Sequence, residues 1–392
     1  MKPGRKTIRR MAAAVFAAAL LLAGNAGADR VITLSFTGDC TIGSEELRMN
    51  QEDSLHAYAA KYGYDYFFAN FRDLFEADDC TVINLEGILS DTANGEKTSK
   101  RYRFRGPADF TGILKAGSVE MAGLANNHTA DYGARGMENT KKALEDAGIG
   151  WARAMDCYVL EKDGIRIAII SMDYALSNTM GDRLKRKMAE MKADGMNAIV
   201  VLFHNGNEYD PKHNSVQESR GKKYIEDGAD LVIMHHSHVV QGVRILNNRS
   251  IFYSLGNFVF GGNREIKSVK YARDGGREPT SLYGLVVQAK LYFDDSGTYT
   301  GQQMILYPLY TSSAAPVNNY QPVRITAEQA EPVLDAMQYD TSGLVLPGIS
   351  EDADGYARVV MPYLDAGTKA ANQKNEDGSP EAPAAYPDRN NR

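Results

Sequence analysis

Five short apolar runs in this sequence each end in side chains that can bind a metal ion. Val31 to Phe36 leads into Gly38-Asp39, Cys80 to Leu85 into Glu86, and Val119 to Leu124 into Asn126-Asn127-His128. Ala198 to Phe203 leads into His204-Asn205-Gly206-Asn207-Glu208, and Asp230 to Met234 into His235-His236-Ser237-His238. Imidazole mixed with carboxylate and amide oxygen suits Mn, Fe, Zn or Co better than copper(I), iron–sulfur clusters or calcium. There are enough ligands for two divalent ions. A pair about 3.5–4 Å apart lowers the pKa of a water and clamps the attacking and leaving oxygens of a displacement. Asp39, with two carboxylate oxygens, suits a bridging place between them. Alternate residues of an extended stretch share a direction, so His236 and His238 point together and His235 away.

Each residue type has an ordinary use as well. Asp39 and Asn127 can cap helices, Glu86 can be a solvated loop acid, and a single histidine is often structural. Five successive strand ends have to be explained together, however, and ligands in open α/β sheets gather outside the carboxyl ends of the strands.

The elements that would position these residues alternate along the chain. Asp65 to Asp78 carries Phe67, Phe68, Phe71, Leu74 and Phe75 at helical spacing, which predicts a helix with its aromatic stripe in the core. Further helices are expected near 107–116, 134–147, 182–193, 212–227 and 326–337. Asp163-Gly164 and Asn247-Asn248 read as hairpin turns, and strands are expected near 282–293 and 303–307. Strands alternating with helices predict a layered α/β protein whose sheets are mixed rather than wholly parallel.

Composition narrows the classes. The chain has 392 residues, 43% of them apolar and 24% charged, which excludes wholesale disorder, collagen and coiled coil. Lys2, Arg5, Lys6, Arg9 and Arg10 precede an apolar stretch from Met11 to Gly24 and the small residues Ala26-Gly27-Ala28, the pattern of a cleaved export signal over residues 1–28. Uncleaved, it would anchor the protein. Without those five bases, 39 basic residues face 50 acidic ones, a net charge of −11 that makes nucleic acid a poor partner. Cys40 and Cys80 fall at opposite ends of neighbouring strands, about 20 Å apart, too far for a disulfide. From Ala366 on, the composition cannot bury enough apolar area to order itself. His56 and His213 lie off the motifs and read as surface residues.

Several of these strings resemble a known family. Phe36-Thr37-Gly38-Asp39, Asn84-Leu85-Glu86, Ala125-Asn126-Asn127-His128 with Asp131-Tyr132-Gly133, Gly228-Ala229-Asp230 before His235 to Gln241, and Tyr253 to Phe260 are similar to the CapA family, capsule synthesis proteins of the poly-γ-glutamate system. That family resembles the calcineurin-like metallophosphoesterases. The resemblance, which runs from about residue 31 to 295, implies a four-layer α/β/β/α sandwich, expected over residues 29–310; a C-terminal extension packed on it is expected over 311–365, and composition makes 366–392 a disordered tail. The resemblance also implies a site holding two divalent ions (Mn, Fe or Zn) on Asp39, Glu86, Asn127, His204, His236 and His238, and it makes His128 the imidazole that protonates a leaving group. Tyr253 and Asn257 would line the pocket. Arg103 and Arg105 are cations that any surface carries and that an anionic substrate would also use. Asn205 stands where the family usually has Trp, Ser237 where it has Pro, Met234 where it has Gly, and Thr41 where true metallophosphoesterases often have a histidine ligand.

Two functions from different classes follow. One is an exported metal-dependent hydrolase that cleaves a phosphoester or amide in a cell-envelope polymer or its precursor. The other is a component of capsule assembly that binds and exports poly-γ-glutamate without breaking it, beside membrane proteins of capsule synthesis.

Overall fold

The computed structural model describes residues 30–266 and 281–367. The expected export signal and nearly all of the expected tail lie outside the described residues. No helix among those described is long and apolar enough to cross a membrane.

Two mixed sheets stack face to face. In the first, β1 (Arg30–Thr41) is followed in parallel by β2 (Cys80–Leu85), β3 (Met121–Gly123) and β4 (Gly150–Ala152). The second contains β5 (Tyr158–Lys162), β6 (Ile165–Asp173), β7 (Ala198–His204), β8 (Leu231–His235), β9 (Val243–Leu246) and β10 (Arg249–Phe252), in the order β9-β10-β8-β7-β6-β5. Its three central strands, β6 to β8, run parallel. The chain then returns to the first sheet, where β11 (Asn257–Phe260) pairs in parallel with the end of β1 and β12 (Tyr283–Phe293), β13 (Tyr299–Tyr310) and β14 (Ala357–Val360) extend its other side in antiparallel fashion.

Alternation along the central strands explains the stacking. Ile167, Ile169, Val200 and Leu202 share one buried cluster with Leu34, Phe36, Val82 and Met121 of the first sheet. Their neighbours Ala168, Ile170, Val201 and Phe203 face the other way, onto α5 (Tyr174–Ala193) and α6 (Ser215–Glu226). On the far face of the first sheet, Ile83, Leu85 and Phe258 pack against α1 (Leu55–Tyr62), α2 (Arg72–Glu76), α3 (Thr111–Ala116) and α4 (Gly133–Asp146). Helix, sheet, sheet and helix therefore form four layers. Ala330, Val333, Leu334 and Met337 of α7 (Ala327–Tyr339) join the central cluster, and β14 adds to the first sheet.

Local chemistry sets most boundaries. Asp163 and Gly164 have φ of 52° and 73°, and Asn247 and Asn248 of 51° and 56°, the left-handed pair that a two-residue hairpin turn requires. Asn214 and Thr326 form capping boxes with Gln217 and Gln329. Two expectations need correction. α5 starts at Tyr174, because the Asp173 carboxylate caps the Leu176 N–H at 2.8 Å. The helix expected over 65–78 is broken into a turn at Tyr64–Tyr66 and the short α2, although Phe67, Phe68, Phe71 and Phe75 are all buried. Cys80 lies level with Leu34 and Cys40 with Leu85, and all three cysteines are free.

At the amino ends of β2 and β3, opposite the ligand-bearing edge, Asp78, Asp79 and Glu120 lie close together. Burial pushes the Asp78 carboxyl up to about 7, with Glu120 and Asp79 adding to it. The folded protein thus holds a proton that the unfolded chain releases near pH 4, so the contribution of Asp78 to stability falls as pH rises from about 4 to about 7 and then levels off. Asp78→Asn keeps an oxygen for the Thr81 hydroxyl, which donates to it at 2.8 Å, and removes the charge. Thermal unfolding should show the variant more stable than the parent at pH 8 by about 1–2 kcal/mol, after allowance for partial solvent screening, and nearly equal to it at pH 4.

Candidate metal centre

The carboxyl ends of β1, β2, β7 and β8 and the loop after β3 converge at one edge of the stacked sheets. β1 approaches the segment before β11 so closely that a Cβ on Gly38 would lie 2.4 Å from the Gly256 carbonyl oxygen. Only glycine fits there, and the Asp39 N–H then bonds Gly256 O at 2.9 Å. β8 crosses over from the second sheet. His235, as expected, turns away from the edge and its Nε2 meets the Thr37 carbonyl at 3.0 Å. After β8 the backbone enters the left-handed region at His236 (φ 104°) and His238 (φ 55°), a strained conformation for residues other than glycine that clusters at functional sites.

This turn aims imidazoles at Glu86. The carboxylate is fully buried, yet neither oxygen has a hydrogen-bond partner among the described residues. Around Glu86 Oε1 lie His204 Nε2 at 3.7 Å, His128 Nε2 at 3.8 Å and His238 Nε2 at 3.8 Å. Donor atoms of Glu86, His236 and His238 all fall within 4.8 Å of one another. These gaps are too long for hydrogen bonds. They approach the spacing of ligands around one ion, since donors about 2.1 Å from a tetrahedral ion lie about 3.4 Å apart. His236 Nδ1, Ser237 Oγ and Asn205 Oδ1 are also buried without hydrogen-bond partners among the described residues. The residues fit a metal ion.

Protonation divides the donors. Burial pushes the Glu86 carboxyl up, with Asp39 and Glu208 adding to it, which is the state of an anion short of a cation. His236 is pushed down to about 4 by burial and by the charge of His238, and burial holds His204 well below its ordinary value. Both are neutral at pH 7, the form that binds metal. Burial would also lower His238, but Glu86 and the Asp39 hydrogen bond outweigh it and raise it.

Behind these donors stands a second set of contacts that orients them. His238 Nδ1 faces Asn257 Oδ1 at 2.9 Å and Asp39 Oδ2 at 3.3 Å, leaving Nε2 for the centre. Such carboxylate or amide partners fix the orientation of a ligating histidine. Asp39 accepts from Asn84 Nδ2 at 2.8 Å and from the His236 N–H at 3.1 Å. Burial would raise its carboxyl, but His238, His235 and His204 together hold it below the ordinary range. Both of its oxygens are thus engaged, behind the three grouped donors. His204 is linked through Nε2 to Asn127 Oδ1 at 2.9 Å and through Nδ1 to Asn84 Nδ2 at 3.3 Å.

His128 sits on the same edge, held by residues that the sequence did not mark as functional. Its Nδ1 is 2.7 Å from Asp131 Oδ2, and the Phe104 ring lies 4.5 Å from its own. Asp131 also accepts from Lys100 Nζ at 2.5 Å and from the Phe104 N–H at 2.9 Å. Burial lowers His128 while Asp131 opposes that. For Asp131 the available signals were its place in the string Asp131-Tyr132-Gly133 and its i, i+3 spacing from His128; Lys100 had none.

Other expected residues lie elsewhere. Arg105 is bound to both oxygens of Glu46, at 2.5 and 2.9 Å, and to the Ser90 carbonyl, so it braces a loop and is not free for a substrate. Arg103 pairs with Glu96 at 2.7 Å. Tyr253 does not reach the edge; its ring stacks 3.7 Å from His213. His213 is therefore half-buried rather than a free surface residue, and its Nδ1 meets Asp340 at 2.8 Å because the chain after α7 folds back onto it. His56 is half-buried against Phe110, where burial pushes it down to about 4. Asn257 does belong to the centre, as the partner of His238.

Comparison with known proteins agrees with the motifs. "Capsule biosynthesis protein CapA" of Bacillus anthracis is 29% identical over 254 residues, 58% of this chain and 60% of its own. "PGA biosynthesis protein CapA" of Bacillus subtilis is 28% identical over 253 residues, 59% of this chain and 64% of its own. The match thus spans somewhat under two thirds of these relatives. Among solved structures, the sulfate thiohydrolase SoxB of Thermus thermophilus overlays with a TM-score of 0.37 at 13% identity, covering 78% of this chain and 60% of its own. The purple acid phosphatase PPD1 of yellow lupin does so with a TM-score of 0.37 at 12% identity, covering 74% and 53%. Those overlaps are loose, and the layering rests on the strand order above. The model of the bacterial capsule synthesis protein PGA_cap matches residues 33–262, more than half of the sequence and all of the ligand-bearing strand ends, and the chain belongs to that family.

Proposed function

We infer that this protein is an exported, metal-dependent hydrolase of a capsule or cell-envelope polymer, cleaving a phosphoester or an amide, with poly-γ-glutamate as the candidate polymer. The observation that carries this is the Glu86 carboxylate, buried without a hydrogen-bond partner among the described residues and ringed by imidazole nitrogens at 3.7–3.8 Å. Glu86, His236 and His238 would hold a first ion, and His204 and Asn127, with Asp39 behind them, are the donors for a second. When bound, divalent ions supply Lewis acidity toward a phosphoryl or carbonyl oxygen and an activated water. Asp39 and Asn257 hold His238 in the orientation that turns Nε2 inward. His128 takes or gives its proton at Nε2, because Asp131 holds Nδ1. The basic and apolar start of the sequence supports export, and the names of the relatives support a capsule polymer.

The word biosynthesis in those same names supports the second reading, a non-catalytic component that binds poly-γ-glutamate during assembly. Metal content by inductively coupled plasma mass spectrometry tests the hydrolase, on protein purified without a nickel tag and loaded with manganese, iron and zinc in turn. About two ions per chain are expected in the parent. His236→Ala should lose bound metal, and Asp39→Asn should lose it through a misoriented His238. A parent that stays empty under every loading would overturn the hydrolase and leave the binding component.

A further inference from the structure

We propose that the segment Lys97–Arg103 is a polycarboxylate-gripping strip, with Lys97 and Arg101 binding the side-chain carboxylates of the polymer next to the metal centre. This rests on the anionic-polymer reading above and adds to it where the polymer is held.

The need for such a strip comes from charge. A protein with net charge −11 after its signal repels a polyanion, so productive binding requires a local reversal of sign. Residues 97–105 read Lys-Thr-Ser-Lys-Arg-Tyr-Arg-Phe-Arg, five cations and no acid. In the fold this run is tied to the edge that carries His128. The Lys97 N–H donates to the Asp131 carbonyl at 2.8 Å, Lys100 Nζ donates to the Asn127 carbonyl at 2.6 Å, and the Phe104 N–H donates to the Asp131 carboxylate at 2.9 Å. The strip is therefore positioned by the same Asp131 that holds His128.

Its cations divide into two kinds. Lys100, Arg103 and Arg105 are bound to Asp131, Glu96 and Glu46, and they hold the strip in shape. Lys97 and Arg101 are exposed, and among the described residues neither head group has an acidic partner. Arg101 lies only against the ring of Tyr102, itself exposed, with its guanidinium 5.0 Å from the ring centre. Two unpaired cations in a braced loop keep their charge for a ligand, and the bracing lowers the ordering entropy that binding would otherwise lose. A guanidinium takes a carboxylate with two parallel hydrogen bonds, and a lysine ammonium adds a point charge. Carboxylates repeated along a flexible chain can meet both heads at once.

The test is fluorescence anisotropy of labelled poly-γ-glutamate with the full chain at low salt, comparing the parent with Lys97→Ala/Arg101→Ala. Removing two surface cations should weaken binding about 10- to 30-fold and flatten its salt dependence, with metal content unchanged. A control double variant, Lys115→Ala/Arg186→Ala, removes two exposed cations elsewhere and should bind like the parent. Equal affinity of parent and Lys97→Ala/Arg101→Ala, equal weakening by the control pair, or no binding by the parent would each overturn the strip. Tighter binding of inorganic polyphosphate than of polyglutamate, lost in the same variant, would overturn the carboxylate assignment. Metal content is read separately, so failure of the strip is distinguishable from failure of the metal centre.

Discussion

Glu86→Gln should reverse its effect on stability according to whether metal is present. In chelator, the parent carries a buried carboxylate with no hydrogen-bond partner among the described residues, and burial already drives that group toward its protonated form. Replacing it by an amide of the same shape removes the charge, so the variant should be as stable as the parent or more stable, by about 1–3 kcal/mol. With saturating metal the order inverts. An ion that binds only the folded state stabilises it by about 4 kcal/mol at a thousand times its dissociation constant, and the variant has lost the one carboxylate among the three grouped donors. Thermal unfolding in chelator and in manganese measures both arms. Equal metal-induced gains in parent and variant would mean that the ion sits elsewhere. A large loss of stability in chelator would mean that Glu86 makes a structural contact the geometry does not contain.

That inversion depends on a clustering which the sequence announces only in part. The strands are legible because each central one is a short apolar run, and the edge is legible because each run ends in Asp, Glu, Asn or His. Hairpins and helix starts are legible where one or two residues decide the backbone, as at Asp163-Gly164, Asn247-Asn248 and Thr326, whereas the helix expected from 212 starts only after the Asn214 cap. The aromatic stripe Phe67 to Phe75 gives the core correctly and the helix wrongly, since burying Phe68, Phe71 and Phe75 against Phe258 does not require one unbroken helix. What stays hidden are bonds between segments far apart in sequence. Nothing near His213 indicates that Asp340 will fold back onto it over 127 residues, and nothing near Arg105 indicates its pairing with Glu46. The expectation that Asp39 lies between two ions is informative in another way. Its position at the edge is as expected, and each oxygen also accepts one hydrogen bond, from the Asn84 amide and the His236 N–H, which leaves a lone pair on each. Local sequence cannot show those two partners of the carboxylate.

His128→Gln should separate proton transfer from metal binding. The imidazole presents Nε2 to the edge while Asp131 holds Nδ1 at 2.7 Å, so Nε2 is the atom able to exchange a proton with a leaving group. Losing such a group lowers turnover by about 10²- to 10⁴-fold when the departing atom must be protonated. It should matter much less when that atom leaves as a stable anion. The measurement is therefore a pair of turnovers on metal-loaded protein, one for a p-nitrophenyl phosphodiester and one for its alkyl counterpart. The alkyl ester should lose the larger factor in the variant, with metal content equal to the parent. Asp131→Asn should follow the same pattern with a smaller loss, because the imidazole remains but its tautomer is no longer fixed. It should also loosen the segment 97–104, since Lys100 and the Phe104 N–H share that carboxylate. Equal losses for the two leaving groups would remove His128 from proton transfer, and loss of metal in His128→Gln would make it a ligand instead, as its 3.8 Å approach to Glu86 permits.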